Sequence, residues 1–310
     1  MYMSKLVIID GNAILHRAFH AMPPLTTRSG EPINAVYGLV SMFLRVIQDL
    51  KPDSIAVAFD EKEKTFRHKE FEKYQSQRPP TADELSSQFG KARDFFKAVG
   101  VPIYSKPGFE ADDVIGTIAT RSFDKLKIKN LKLKIDEVII ITGDRDILQL
   151  VDDKTKLYMP IVGLANAKLY DAAAATERMG VPPEEIPDYK ALVGDASDNY
   201  PGVGGIGPKT AEKLLEKYGS IDNIYAHLQD IEPKTRQKLT DGKKDAKLFY
   251  RLATIVKDVP IEIDFPQMEK WKIDSPEVFN LFEKFGFKTL MDRIKKVGKS
   301  IDESKQNTLF

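Results

Sequence analysis

Lys5-Leu6-Val7-Ile8-Ile9-Asp10-Gly11 is a short, unbroken apolar run that stops at an acid and a glycine. Such a run reads as a parallel strand buried on both faces, with a polar side chain delivered at its carboxyl end. The pattern returns at Ser54-Ile55-Ala56-Val57-Ala58-Phe59-Asp60 and at Glu137-Val138-Ile139-Ile140-Ile141-Thr142-Gly143-Asp144-Arg145-Asp146. Between the first two runs, Val36, Leu39, Val40, Phe43, Leu44 and Ile47 recur at helical spacing within 35–50, and Pro52 stops the helix. Pro102-Ile103-Tyr104 is a further, shorter strand candidate. Strands alternating with helices predict an α/β fold with a central, mostly parallel sheet flanked by helices. Ligands then gather outside the carboxyl ends of the strands. Asp10, Asp60, Asp144 and Asp146 are thereby directed to one edge. Capping of the next helix explains any one of these acids. It does not explain the repetition.

A second acidic feature is Gly108-Phe109-Glu110-Ala111-Asp112-Asp113-Val114-Ile115-Gly116, which precedes apolar residues at helical spacing. Acids in a first helical turn meet the positive end of the helix dipole. Carboxylates this close repel one another, so they share protons or hold a cation. On a regular helix Glu110 and Asp113 share a face, whereas Asp112 points elsewhere. Ligation by all of Glu110, Asp112 and Asp113 therefore requires an irregular helix entry.

The chain of 310 residues, 42% hydrophobic, can bury a sizeable core in one large domain or two smaller ones. It contains no cysteine, which excludes disulfides, thiolate metal sites and cysteine nucleophiles and suits a reducing cytoplasm. No apolar run approaches a membrane span, so a soluble, unexported protein is expected. With 47 basic and 46 acidic residues, any polyanion partner must be met by local segregation of charge.

Residues 61–94 are dense in charge and interrupted by Pro79-Pro80, which predicts a mobile helical excursion rather than a core element. The basic run from Arg121 to Lys134 reads as a surface helix end and loop, with phosphate contact as the other reading. Pro182-Pro183 opens a helix that runs through Val193 and is broken by Gly194-Asp195-Ala196-Ser197-Asp198-Asn199. Gly202-Val203-Gly204-Gly205-Ile206-Gly207-Pro208-Lys209-Thr210-Ala211 then reads as a glycine-rich hairpin feeding another helix. Tight helix packing would explain the glycines. Binding of a nucleic-acid backbone at the first helical turn, with Lys209 and Thr210, is the favoured reading. Lys234, Arg236, Lys238, Lys243, Lys244, Lys247 and Arg251 suit a nucleic-acid flank. Phe279, Leu281, Phe282, Phe285, Phe287 and Leu290 read as core closure, and from Gly298 the chain turns polar.

Asp10, Asp60, Glu110, Asp112, Asp113, Asp144, Asp146, Asp195 and Asp198 would form an all-oxygen cluster. Hard cations, two Mg²⁺ or Mn²⁺ ions, are the expected occupants. Two such ions roughly 4 Å apart stabilise the attacking water and the leaving oxygen of an in-line displacement at phosphorus. Beside a phosphate-binding hairpin, that chemistry means phosphodiester hydrolysis.

These motifs together resemble the 5′ nuclease (flap endonuclease) family, and in particular the amino-terminal 5′-to-3′ exonuclease domain of bacterial DNA polymerase I. The likeness extends from Leu6 to about Ile294. It rests on Val-Ile-Ile-Asp-Gly-Asn at 7–12, Ala-Phe-Asp at 58–60, Thr-Phe-Arg-His at 65–68, Arg-Pro-Pro at 78–80, Gly-Phe-Glu-Ala-Asp-Asp at 108–113, Thr-Gly-Asp-Arg-Asp at 142–146 and the segment 194–211.

The resemblance implies a PIN-like nuclease core over 1–175 that includes a helical arch at about 61–94. A helix-hairpin-helix DNA-binding module over 176–260, C-terminal helices over 261–297 closing on the core, and a flexible tail over 298–310 would complete the chain. It implies a divalent-metal-dependent 5′-3′ exodeoxyribonuclease or flap endonuclease, monomeric, acting in a bacterial cytoplasm in replication and repair. The substrates would be DNA with a 5′ flap, a 5′ overhang or a nick, and RNA-primed DNA. Carried over by position, Asp10, Asp60, Glu110 and Asp112 resemble the first metal's shell. Asp113, Asp144, Asp146 and Asp198, with Asp195 beside them, resemble the second. Arg78 matches an arch arginine that contacts the scissile phosphate. Arg17, Arg67 and Tyr74 are assigned to DNA contact, as are Gly202, Gly204, Gly205, Gly207, Lys209 and Thr210 of the hairpin, where relatives often hold a potassium ion. The terminal Gln306, Leu309 and Phe310 resemble a sliding-clamp peptide. A frayed tail is the other reading of them.

The sequence departs from this pattern at Gln75, where relatives usually carry a lysine after the arch tyrosine. Glutamine offers a hydrogen bond where lysine would place charge on the developing phosphorane, so weakened catalysis is expected unless Lys73 or Lys69 substitutes. A DNA-junction binding protein with weakened turnover is the competing class. The acid set argues against it, because a pure binder gains only repulsion from those charges. A phosphatase, the competing enzyme, would not need the hairpin.

Overall fold

A computed structural model describes residues 3–124, 134–162 and 166–307. β1 (Lys5–Asp10) divides its side chains between two cores, Leu6 and Ile8 in one apolar cluster and Val7 and Ile9 in another. This is the two-sided burial of a central strand. α1 (Gly11–Ala21) starts directly from it. A Cβ at Gly11 would stand 2.5 Å from the Phe59 ring, so glycine lets α1 begin against the end of the next strand. α2 (Asn34–Leu50) ends at Lys51, whose left-handed φ of 48° precedes Pro52. β2 (Ser54–Ala58) then pairs parallel with β1.

The segment that follows holds α3 (Phe66–Glu70), α4 (Asp83–Ser86) and α5 (Gln88–Val99). The expected excursion is therefore partly core. Leu85, Gln88, Ala92, Phe95, Phe96 and Val99 are buried, and Gln88 fixes the start of α2 by accepting from the amides of Ala35 and Val36 at 2.8 and 3.2 Å. Charged residues on the outer face of α5 conceal that inward stripe.

β3 (Ile103–Tyr104) pairs parallel with β2, α6 (Ala111–Arg121) crosses the sheet, and β4 (Glu137–Ile141) pairs parallel with β1 on its other side. β5 (Thr155–Val162) and β6 (Asn166–Tyr170) extend the sheet, β6 antiparallel. The order β3-β2-β1-β4-β5-β6 reverses direction between β1 and β4, and the carboxyl ends diverge at that point. Here the crevice of an open α/β sheet forms.

α7 (Ala172–Met179), α8 (Ile186–Val193), α9 (Pro208–Tyr218), α10 (Ile221–Ala226), α11 (Pro233–Asp241) and α12 (Lys243–Ala253) form a helical module on the α6 side. Its apolar residues belong to the same cluster as α6. α13 (Pro276–Phe285) and α14 (Lys288–Asn307) pack on the opposite face with α2 and α5, burying Phe282, Phe285, Phe287 and Leu290. The tail expected to be flexible from Gly298 instead continues α14 to residue 307. No breaker follows that glycine, and glutamate and lysine favour a helix. The lysine-rich stretch at 125–133 lies outside the described residues.

Candidate active site

Asp10 and Thr142 tie together the two strands that flank the crevice. Asp10 closes β1, caps α1 by accepting from the Ala13 amide at 2.9 Å, and accepts from Thr142 Oγ1 at 2.6 Å. The same Thr142 oxygen accepts from the Asp144 amide at 3.0 Å, and Asp144 accepts from the Asp146 amide at 2.9 Å. Asp60, beyond β2, accepts from the Ala111 amide at 2.7 Å. That bond anchors the N-terminus of α6 at the sheet edge and delivers Glu110 and Asp112 there. A cavity of about 580 Å³ is lined by Asp10, Asp60, Glu110, Asp112, Asp144, Asp146 and Asp198.

Asp10, Asp60, Glu110, Asp112 and Asp146 resist ionising. Burial holds Asp10 at about 7, against an ordinary 3.8, with Asp60 and Asp144 adding to it and the Thr142 bond opposing. Burial likewise raises Glu110 to about 7, against the pull of Arg67, and Asp146 to about 6, against that of Lys190. Asp60 is raised by burial, and Asp112 well above its ordinary range by burial and then by Asp144, Asp10, Asp146 and Asp60. Positive charge entering the pocket would favour the fully ionised set. Asp146, Asp195 and Asp198 each offer a carboxylate oxygen, all within 4.8 Å of one another. Oxygen donors of this charge fit a hard divalent cation.

Two expected site residues are committed to an internal pair, although Arg67 also borders the cavity beside Glu110. Asp113, fully buried, points inward. Its oxygens accept from Arg67 at 2.7 and 2.8 Å, from the Val256 amide at 2.9 Å and from the Glu110 amide at 3.1 Å. It does not line the acidic cavity. Arg67, assigned to DNA contact, is 2% exposed and also donates to the carbonyls of Leu252 and Thr254 at 2.8 and 2.9 Å. The pair joins α3, α6 and the end of α12 as an internal pin. Asp112, not Asp113, is the residue of that turn turned to the cavity.

Asp195 is not among the residues lining this cavity but groups with its Asp146 and Asp198. Burial pushes it up, but Lys190 and the bonds from Ser197 outweigh burial and hold it below its ordinary value. Lys190 was not expected. It is buried in α8, and its Nζ bonds to both Asp146 and Asp195. A lysine inside a helix reads as surface from sequence, and only the approach of Asp146 from the turn beyond β4 reveals it. His16 and His68 also line the cavity.

The segment 73–78 roofs the acids and closes on Asp198. Tyr74, 3% exposed, donates from its hydroxyl to Asp198 and Glu110, both at 3.2 Å. Gln75 Nε2 and Arg78 donate to the same Asp198 oxygen at 3.0 and 2.9 Å, and the Gln75 amide donates to the Asp198 carbonyl at 3.0 Å. Asn199 Nδ2 donates to the Lys73 carbonyl and to Ser76 Oγ, each at 2.9 Å. Gln75 and Asn199, on the two sides of this contact, both have left-handed φ, 54° and 59°. Lys73 is exposed and does not line the acidic cavity.

The hairpin glycines divide by role. Gly202 is buried, with φ of 69°, and a Cβ there would stand 2.3 Å from the Gly194 amide nitrogen, so it serves packing and not DNA contact. Gly204 and Gly207 are exposed, with open space where a Cβ would be. Gly205 is exposed too, and its carbonyl accepts from Lys238 Nζ at 2.9 Å. Lys209 is exposed in the first turn of α9 and Thr210 half-buried. Arg17 lines a shallow depression with His20, Gly143 and Asp144. The side chain of Gln306 and all of Leu309 and Phe310 lie outside the described residues.

Comparison with known proteins agrees with this geometry. Residues 5–180 match the family model of the 5′-3′ exonuclease N-terminal resolvase-like domain, and residues 181–276 that of the 5′-3′ exonuclease C-terminal SAM fold. A 5′-3′ exonuclease of Aquifex aeolicus is 36% identical over 99% of this chain and 100% of its own length. DNA polymerase I of Caldicellulosiruptor bescii is 41% identical over 94% of this chain and 33% of its own, and that of Bacillus subtilis 37% identical over 94% and 32%. The chain thus spans about a third of the polymerases it matches. Among solved structures, a T5 D15 flap endonuclease complex with DNA and metal ions aligns with a TM-score of 0.65 at 21% identity, covering 96% of this chain and 98% of that one. The catalytic core of Rad2 with DNA substrate aligns with a TM-score of 0.57 at 16% identity, covering 96% and 92%. The fold is the one shared by the T5 and Rad2 nucleases. The chain belongs to the 5′-3′ exonuclease family.

Proposed function

We propose that this protein hydrolyses phosphodiesters at 5′ ends and 5′ flaps of DNA, and of RNA primers on DNA, in replication and repair. The observation that carries the reading is the convergence of seven carboxylates from separate strand and helix ends on one cavity. The T5 and Rad2 relatives were solved with DNA, and the T5 protein also with metal ions, which supports the same ligands here. Two divalent cations, Mg²⁺ or Mn²⁺, held by Asp10, Asp60, Glu110, Asp112, Asp144, Asp146 and Asp198, with Asp195 grouped with the last two, would polarise the phosphodiester and activate water.

The protein's own groups do the rest. Asp10 is oriented by Thr142 and Asp60 by the Ala111 amide, so both are preorganised. Arg78 and Gln75 stand at the cavity mouth, placed to meet a phosphate once they leave Asp198. Exposed Gly204, Gly207 and Lys209 admit a duplex backbone without reading bases. A potassium ion at the hairpin carbonyls and action as a monomer in the bacterial cytoplasm complete the proposal. No helix among the described residues is long and apolar enough to cross a membrane. The helix at the C-terminus would carry the terminal residues to a sliding clamp. The reading of the chain as a junction binder with weakened turnover gains no support from the relatives.

The test is incubation with a 5′-flap duplex and, separately, a small phosphomonoester, with Mg²⁺ and with chelator. Mg²⁺-dependent cleavage of the flap alone is expected. Phosphomonoester turnover or chelator-resistant cleavage would reject the proposal.

A further inference from the structure

We propose that Tyr200 is a positioning residue for divalent-cation binding: its hydroxyl receives the Lys190 ammonium when a cation displaces that ammonium from between Asp146 and Asp195. The inference rests on the reading of the acidic group as a metal site.

Lys190 Nζ bonds to Asp146 and Asp195, and these two, with Asp198, form a group among the described residues whose carboxylates can converge on one ion. Ammonium and divalent ion therefore compete for the same oxygens. The loser cannot retreat to water, because Lys190 is 7% exposed, between buried Asp188 and Ala191 on α8. A buried charge without a partner is strongly unfavourable, so a second acceptor must lie close by.

Tyr200 supplies one. It pairs with Asp195 in an antiparallel bridge, with amide-to-carbonyl bonds of 2.8 and 3.0 Å, which sets the two side chains on the same side. Its ring is stacked on Phe249 at 5.0 Å and 18°, fixing its direction. Among the described residues, Ser54 Oγ, Tyr200 Oη and Tyr218 Oη are the buried side-chain atoms without a hydrogen-bond partner. Of these, Tyr200 is the one paired directly, through the bridge, with a member of this group, Asp195. A phenol oxygen has lone pairs to accept from an ammonium. An orphaned buried hydroxyl is a cost in one state that a second state can offset.

The experiment is calorimetric titration of the DNA-free protein with Mn²⁺, alongside its melting temperature without metal. Tyr200→Phe should lower the affinity of one Mn²⁺ site roughly tenfold, as loss of a hydrogen bond to a charged group implies. Its metal-free melting temperature should be unchanged or higher, because the hydroxyl has no partner there. In a Lys190→Met background Mn²⁺ should bind more tightly than to the wild type, and adding Tyr200→Phe should change nothing. Unaltered Mn²⁺ affinity in Tyr200→Phe overturns the proposal, as does an equal loss in the Lys190→Met background. Should Lys190→Met not fold, Tyr200→Phe decides alone. Failure of every variant and of the wild type to bind Mn²⁺ would overturn the metal site itself, and this proposal with it.

Discussion

Arg67 and Asp113 face each other in the interior as a two-pronged ion pair, with N–H to oxygen distances of 2.7 and 2.8 Å. Asp112, the adjacent residue, faces the acidic cavity instead. Neighbouring acids on one helical turn therefore have opposite roles. Arg67→Met should cost about 3–5 kcal/mol of stability, because it strands a buried carboxylate. Asp113→Ala should also destabilise while leaving Mn²⁺ binding in place. Asp112→Ala should stabilise the metal-free protein by removing repulsion and should weaken Mn²⁺ binding. Denaturant titration and calorimetry on the same three variants check both signs.

Stability should depend on pH through the raised carboxyls. Asp10 moves from 3.8 unfolded to about 7 folded, Glu110 from 4.5 to about 7 and Asp146 from 3.8 to about 6. Between those limits the folded state holds protons that the unfolded state has lost, so stability falls as pH rises through that window and levels off above it. The metal-free melting temperature should therefore drop between pH 5 and about pH 7. Mg²⁺ should reduce the drop, since it stabilises the ionised set. A flat metal-free profile would contradict these environments.

Gln75→Lys should raise the single-turnover rate of flap cleavage, because an ammonium would place positive charge where glutamine offers only a hydrogen bond. The rest of the roof would remain, since Arg78, Tyr74 and the Gln75 backbone amide also hold Asp198. An unchanged rate would show that Lys73, Lys69 or another group already fills the role.

At the hairpin, Lys209→Ala should weaken duplex binding across sequences and reduce the slope of log affinity against log salt by about 1. Gly202→Ala should act differently. A Cβ there collides with backbone atoms of α8 and its C-terminal end at 2.3 to 2.6 Å, so the loss should be in folding stability. Affinity measured over a salt series, beside melting curves, separates the two.

Much of this arrangement is legible in the chain, because an unbroken apolar run that stops at an acid marks where a buried strand ends. Asp10, Asp60 and Asp144 follow their runs directly, and parallel alternation then sets them on one edge. What could not be read depends on contacts far apart in sequence. The spacing separates Asp112 from Asp113 but cannot say which faces inward; Arg67, 46 residues from Asp113, decides that. Lys190 becomes significant only beside Asp146, 44 residues away. β5 and β6 escaped the reading because neither has the unbroken apolar run of a central strand. Within 61–94, surface charge hid Leu85, Gln88 and Ala92, the start of the buried stripe that continues to Phe95 and Phe96.

Anomalous diffraction from Mn²⁺-soaked crystals tests the central claim most directly. The account predicts peaks inside the cavity, with oxygens of Asp10, Asp112, Asp146 and Asp198 at coordination distance and Asp113 still bound to Arg67. Manganese found only at other surfaces, or no peak at all under conditions that support cleavage, would contradict it.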